Sequence, residues 1–346
     1  MLMRVKSFLI GLVFLSLLYA GCGKPSPPTQ IKSEVAASPS PALSHGGFPL
    51  LAPVKGTIGL VLDTNPKKFT FAVFGDNQGG QQSTLISDRI FEELRNFQPP
   101  KPMFAFCLGD IVQGKHPGNF VQEYNEYIQH AKQAGVPIFN APGNHEMDDI
   151  NDIPSAGMHK LYEDNVAPAY GAFNYGNSRF IALNTEDVPA PDARLPLLPP
   201  CKKQPCAEFS YMGDTQLQQL DEDLKANTDK THIFIMMHYP IKPQNPNDSL
   251  TPESLKKLTA ILAKYKNISY VLASHEHLYY NPQEPGNIST VPLFKAGDPT
   301  RYLVSGGAGA QIYVPCAGGG FYHYLVFEVD GDTVSVKIHR VGSKCA

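Results

Sequence analysis

Residues 68–80 read KFTFAVFGDNQGG, a run of aromatic and branched side chains that stops in one acid, two amides and three glycines. Lys68 to Phe74 has the composition of a buried strand. The polar end is ordinary turn chemistry taken alone. Two further stretches repeat the arrangement: PMFAFCLGD ends in Gly109-Asp110, and VPIFNAPGN ends in Gly143-Asn144. Between the three lie two segments with helical spacing. Ser83 to Phe97 carries Leu85, Ile86, Ile90, Phe91 and Leu94, and Phe120 to Ala134 is closed by Gly135. Strand, helix, strand, helix, strand predicts an α/β fold with parallel pairing and right-handed crossovers. Ligands bind such sheets beyond the carboxyl ends of the strands, where the three polar bursts are expected to lie side by side.

The pattern continues with SRFIALN as a strand, Asp214 to Ala226 as a helix and THIFIMMHYP as a strand ending in His238. Thr251 to Lys266 is expected to be helical, with Pro252 near its start. ISYVLASHEH is expected to be a strand ending in His275 and His277. YLVSGGAGA and YHYLVFEVDGDTVSVKIH predict further strands, the latter a hairpin turned at Asp330-Gly331-Asp332. A long Pro-rich stretch, Glu186 to Gly213 with Tyr211, is expected to form a rim over the site, and Asn281 to Tyr302 to help shape access.

Asp76, Gln78, Asp110, Asn144, His145, His238, His275 and His277 therefore gather at strand ends. Each alone reads as a turn former, a cap or a structural histidine. Two carboxylates, two amides and several imidazoles together make the ligand mix of a site for two transition-type divalent ions. In a pleated strand residues i and i+2 share a face, which pairs Asp76 with Gln78 and His275 with His277.

Ordered along the chain, these motifs resemble those of the calcineurin-like metallophosphoesterase family: D-x-H, G-D, G-N-H-[DE], a later His and G-H-x-H. They stand here as Asp76-Asn77-Gln78, Gly109-Asp110, Gly143-Asn144-His145-Glu146, His238, and Ser274-His275-Glu276-His277, spanning Lys67 to Val341. The resemblance implies a four-layer α-β-β-α sandwich, with two mixed sheets flanked by helices. It also implies two metal ions (Mn, Fe, Zn or Mg) and hydrolysis of a phosphomonoester or phosphodiester by a metal-activated water. Asp110 would bridge both ions. Asp76, His277 and Gln78 would face the first, and Asn144, His238 and His275 the second. His145, with Asn144, would act on the scissile bond, and Glu146 would orient His145 or face solvent.

This chain departs from the pattern in three places. Gln78 replaces histidine, which implies a looser first ion or a place for Gln78 behind the ligands. Gln113 stands where purple acid phosphatases have a tyrosine ligand, which argues against that subfamily. Ser274 replaces glycine. Two other readings compete with the enzyme. A nucleotide cradle in AVFGDNQGG or VSGGAGA fails because neither matches G-x-G-x-x-G between strand and helix. A surface lipoprotein that keeps the fold as a binding module is favoured by Gln78 alone.

The amino terminus, MLMRVKSFLIGLVFLSLLYAGCGK, has a positive start, an apolar core short for a membrane span, and small residues before Cys22. Residues 1–21 read as a lipoprotein signal peptide, and Cys22 as the lipidated residue that holds the domain on a bacterial cell envelope membrane, on the periplasmic side or cell surface. Residues 22–65 read as a Pro/Ser-rich tether and lead-in, and 66–346 as the phosphoesterase domain. Removing residues 1–21 takes the formal charge from −3 to −5. That balance, without a basic cluster, argues against a nucleic-acid partner. Export permits disulfides, Cys201 with Cys206 and also Cys316 with Cys345, with a zinc site at Cys201 and Cys206 the weaker alternative. Cys107 reads as a buried thiol.

Overall fold

The computed structural model describes residues 47–60, 65–78, 80–114, 119–148, 154–187 and 210–342. The first sheet is ordered β3-β2-β1-β11-β12-β9. Its strands are β1 (Lys68–Phe74), β2 (Ala105–Cys107), β3 (Ile138–Asn140), β9 (Phe294–Lys295), β11 (His323–Asp330) and β12 (Thr333–Arg340). The second is ordered β4-β5-β6-β7-β10-β8. It comprises β4 (Gly171–Tyr175), β5 (Ser178–Ala182), β6 (His232–Met236), β7 (Ile268–Ala273), β8 (Tyr279–Tyr280) and β10 (Arg301–Ser305). β1, β2 and β3 run parallel, as do β5, β6, β7 and β10, while the remaining pairs are antiparallel. Both sheets are therefore mixed.

Strict alternation along the strands builds three cores. In β1, Phe69, Phe71 and Val73 face the second sheet, and Ala72 and Phe74 face helices α1 (Gly80–Arg95) and α2 (Phe120–Ala131) through Ile90, Phe91, Leu94 and Tyr127. In β6, Phe234 and Met236 point inward. Ile233 and Ile235 meet α5 (Asp214–Ala226) and α6 (Pro252–Leu262) through Leu217, Leu220, Leu224 and Leu258. With both faces buried, these strands read as continuous apolar runs rather than as alternating ones. The result is the expected four-layer α-β-β-α sandwich.

The inter-sheet core is largely phenylalanine. Phe71 lies nearly parallel to Phe104 and Phe327, with centroids 5.6 and 4.8 Å away, and edge-on to Phe180 and Phe234 at 5.1 and 4.9 Å. Such offset and T-shaped pairs add quadrupole attraction to the burial of large rings.

Several expectations are corrected. The first helix starts at Gly80 rather than Ser83. The second ends at Ala131 and tightens into a 3-10 turn over Lys132–Ala134 before Gly135. Strand β4 and helix α4 (Ala156–Asn165) carry too little periodicity to be read from sequence. The lead-in is part of the domain: Phe48, Leu51 and Val54 are buried in the three cores, and Leu51 N donates to Ala172 O at 3.2 Å. The compact unit thus includes residues 47–60, well before residue 66. The Asn281–Tyr302 segment does not stay beside the site. Its Phe294 packs on His232 and Tyr270, at the ends of β6 and β7 opposite His238 and His275. The hairpin turn at Asp330-Gly331-Asp332 is where it was expected. Cys107 is a free buried thiol, and Cys316 is disulfide-bonded to a partner outside the described residues. Cys22, Cys201, Cys206 and Cys345, the 1–21 segment and most of the Pro-rich rim also lie outside them.

Two predictions concern this core. Phe71→Ala removes the ring at the centre of the aromatic slab and is expected to cost about 3–5 kcal/mol, measured by urea unfolding. His323 is fully buried, with Nδ1 2.9 Å from Phe321 O and Nε2 3.1 Å from Ser305 Oγ. Burial lowers its pKa from 6.5 to about 4. The unfolded chain therefore takes up the proton first as pH falls. The contribution of the neutral ring is full above pH 6.5 and is lost on the way down to about 4. Its size is about 3 kcal/mol. The fall in the urea midpoint between pH 7 and pH 4.5 should be shallower in His323→Gln than in the wild type.

Candidate metal centre

The carboxyl ends of β1, β2 and β3 in one sheet and of β6 and β7 in the other point to the same end of the sandwich, and every residue singled out in sequence lies there. The strands stop short of these residues. β1 ends at Phe74 and β7 at Ala273, so Asp76, Gln78, His275 and His277 sit in loops. Asp76, Asp110, His275 and His277 adopt positive φ of 59°, 57°, 74° and 50°, and are the only non-glycine residues among those described to do so. That left-handed backbone costs on the order of 1–3 kcal/mol per residue and tends to mark functional sites.

The pleat therefore does not extend to these residues, because a left-handed residue breaks the alternation. His275 turns toward His238, with Nδ1 3.2 Å from its Nε2, while His277 turns toward Gln78, with the two side-chain nitrogens 3.3 Å apart. Nor do the residues line one sheet edge. They come from two sheets joined by the Leu108 carbonyl, which accepts from His238 Nδ1 at 2.8 Å and Ser274 Oγ at 2.7 Å. Ser274, the departure from glycine, is thus a cross-sheet tie. Gly75 makes room for it: a Cβ there would lie 2.6 Å from Ser274 Cβ.

Two groups of candidate ligand atoms result, each with its atoms within 4.8 Å of one another: Asp110, His238 and His275, and Asp76, Asp110 and His277. Asp110 belongs to both. Around His238 the chemistry is telling. With its Nδ1 proton on Leu108 O, its Nε2 presents a lone pair, yet Nε2 lies 3.0 Å from Asn144 Oδ1 and 3.4 Å from Asp110 Oδ1. A lone pair and two oxygens converging in this way suit a shared cation. His277 is arranged alike: Nδ1 donates to Gln311 O at 2.8 Å, which leaves Nε2 for the site. A backbone carbonyl fixing the far nitrogen is the usual support for a ligating imidazole.

Asp76 is fully buried. Its two oxygens have no partner at hydrogen-bonding geometry, although the Ser274 hydroxyl and His275 amide lie on its side and weakly favour the ionised form. Burial first, and the charge of Asp110 second, push its carboxyl well above the ordinary range. Asp110 is penalised by burial as well, but His238, His145, His275 and His277 draw it below its usual value. Burial lowers His238 to about 4, so the ring stays neutral and able to ligate. Gln78 donates from Nε2 to Asp110 Oδ2 at 3.1 Å, and its Oε1 is buried without a partner. Turning the amide over would place the oxygen between Asp110 and His277. The orphaned oxygens and clustered acceptors fit two cations.

Glu146 is the residue sequence reasoning misjudged. It neither faces solvent nor touches the His145 ring. Fully buried, it accepts from the amides of Asp110 (2.9 Å), Ile111 (2.6 Å) and Gly143 (2.7 Å), which locks the β2 and β3 loops together. Its position at the third residue of the short helix Asn144–Met147 was the available signal, since a glutamate there reaches back to the helix start. His145 is held by Gln113: its Nδ1 lies 2.5 Å from Gln113 O. Its amide donates to Asp110 Oδ1 at 3.1 Å, and its Nε2 stands 3.9 Å from Asp110 Oδ2. Gln113 contributes its backbone here.

The VSGGAGA segment is not a nucleotide cradle. It runs beneath β1, with Ala308 N on Gly75 O at 3.0 Å and Ala310 N on Asp76 O at 2.8 Å. A Cβ at Gly306 would fall 2.1 Å from Asp76 Oδ2, which explains the glycine. Of the expected rim, Asp187 N donates to Tyr211 O at 2.8 Å, which ties its two ends together.

The family model described as calcineurin-like phosphoesterase matches residues 69–279, a span that holds His145 and every candidate ligand from Asp76 to His277. The chain belongs to the calcineurin-like phosphoesterase family. Among solved structures this phosphoesterase resembles a dimetal phosphatase from Danio rerio, with 15% identity and a TM-score of 0.55 over 79% of this chain and 96% of the other. A purple acid phosphatase from yellow lupin seeds has 14% identity and a TM-score of 0.55 over 81% and 52%, so the chain spans about half its length. GAP50, the anchor in the inner membrane complex of Plasmodium, has 11% identity and a TM-score of 0.50 over 81% and 87%. At these identities the likeness is one of fold. No curated protein matches the sequence.

Glu146→Ala leaves four buried amides, those of Asp110, Ile111, Val112 and Gly143, without their acceptor. It is expected to cost roughly 3 kcal/mol or more in urea unfolding and to lower the bound metal measured on purified protein. An unchanged midpoint would show that Glu146 does not hold the loops.

Proposed function

We propose that this chain is an exported, membrane-anchored phosphoesterase that hydrolyses phosphomonoesters or phosphodiesters with two metal ions of the Mn, Fe, Zn or Mg kind. The observation that carries this reading is the sharing of Asp110 by two buried ligand groups. Asp76, Gln78 and His277 would complete one site, and Asn144, His238 and His275 the other. When bound, the two cations supply the positive charge that draws in a phosphate and acidifies a water molecule. The chain's own residues orient and protonate. Asn144 keeps Oδ1 toward His238, which leaves its amide nitrogen to donate to a phosphate oxygen. The Gln113 carbonyl fixes the His145 ring, and His145 Nε2 carries the proton given to the leaving oxygen. Anchoring through a lipidated Cys22 and residence in a bacterial cell envelope rest on the amino-terminal sequence.

A second reading, a binding module with a weakened metal site, draws on Gln78 and on the fold likeness to a protein described as an anchor. Metal analysis separates the two: two ions per chain with turnover of a phosphoester support the enzyme, whereas one or none without turnover supports the module. In the enzyme, Asp110→Ala and His238→Ala should lose metal and hydrolysis together. His145→Ala should lower kcat by roughly 10²–10⁴ while metal content holds. Full turnover in Asp110→Ala would overturn the assignment.

A further inference from the structure

Tyr313 is the most exposed large hydrophobic residue among those described, with 69% of its surface accessible, and it stands at the candidate centre. Its ring lies nearly parallel to that of His277, at 5.3 Å and 19°. Little of the ring is buried, so core packing does not explain it. The loop beneath it is well fixed. Gln311 O accepts from His277, Gly318 and Gly320 donate to Pro315 O at 2.8 and 3.1 Å, Tyr279 N donates to Gly319 O at 2.9 Å, and Cys316 is disulfide-bonded. A rigid loop thus presents a flat aromatic surface beside a candidate ligand, with most of that surface turned to solvent.

We propose that Tyr313 is a stacking platform for a planar aromatic group on the substrate, so that aryl or nucleoside phosphoesters are preferred over alkyl ones. This rests on the phosphoesterase reading: His277 is a candidate ligand, so a phosphate held by the two ligand groups would lie within reach of the ring stacked on it. Stacking of one ring pair has the right size to discriminate: about two- to tenfold in affinity. His277 holds one side of the Tyr313 ring and limits its motion, which lowers the cost of ordering it when a ligand arrives.

The test uses full-length, metal-loaded protein and two non-hydrolysable probes, phenylphosphonate and ethylphosphonate, titrated by calorimetry. Wild type is expected to bind the phenyl probe about two- to tenfold more tightly. Tyr313→Ala should abolish that preference with metal content and ethylphosphonate affinity unchanged, and Tyr313→Phe should keep it. In turnover, Tyr313→Ala should raise KM for an aryl phosphoester and leave an alkyl phosphoester within about twofold. A phenyl preference that survives in Tyr313→Ala, its absence from wild type, or equal weakening of both probes would each overturn the platform. Phenyl-selective binding without turnover of any ester would uphold the platform and sink the catalytic reading instead.

Discussion

Asp76 and Asp110 are buried side by side beyond the ends of neighbouring parallel strands, where two carboxylates repel each other and neither reaches bulk water. Among the described residues no arginine or lysine forms an ion pair with either; the partners within reach are histidines. His238 and His277, whose Nδ1 atoms are fixed on backbone carbonyls and whose burial favours the neutral ring, each turn a lone pair to the centre. A protein that spends buried positions on acceptors facing acceptors is built around a positive charge to be held there. Other local features follow from that constraint: the Glu146 clamp on the loop amides, the Leu108 carbonyl joining the sheets, and the glycines that let backbone pass close to Asp76 and Asp110.

Rigidity for this arrangement comes from the aromatic slab between the sheets. Ligands from two sheets keep their spacing only if the sheets cannot slide, and close-packed interdigitated side chains oppose such a shift. Phe71, between Phe104 and Phe327, lies in β1, the strand that ends by presenting Asp76. Packing and chemistry are therefore coupled through one short element.

Much of this was legible in the sequence. Buried strands announce themselves by apolar runs, and the polar bursts at their ends announce the site, so Asp76, Asp110, Asn144 and the histidines could be named from motif order. Two kinds of information could not be read. Side-chain direction beyond a strand end depends on backbone that leaves the pleat, and for that reason His275 and His277 diverge although they are two residues apart. Contacts between distant segments were equally hidden. Glu146 serves amides of another loop, and Phe48 fills a core far along the chain. Element β4 was missed because Gly171, Ala172 and Asn174 have weak strand preferences, which pairing with β5 overrides.

The left-handed backbone at positions 76, 110, 275 and 277 constrains which replacements each position tolerates. Aspartate, asparagine, histidine and glycine enter that region at modest cost, whereas valine, isoleucine and threonine do so only with severe crowding. Drift at these positions is thus channelled by conformation as well as by ligation. A descendant that abandoned its chemistry would carry asparagine or glycine there, and its apo form would gain stability by doing so. The vestige of such a centre would be written in the backbone long after the side chains had changed.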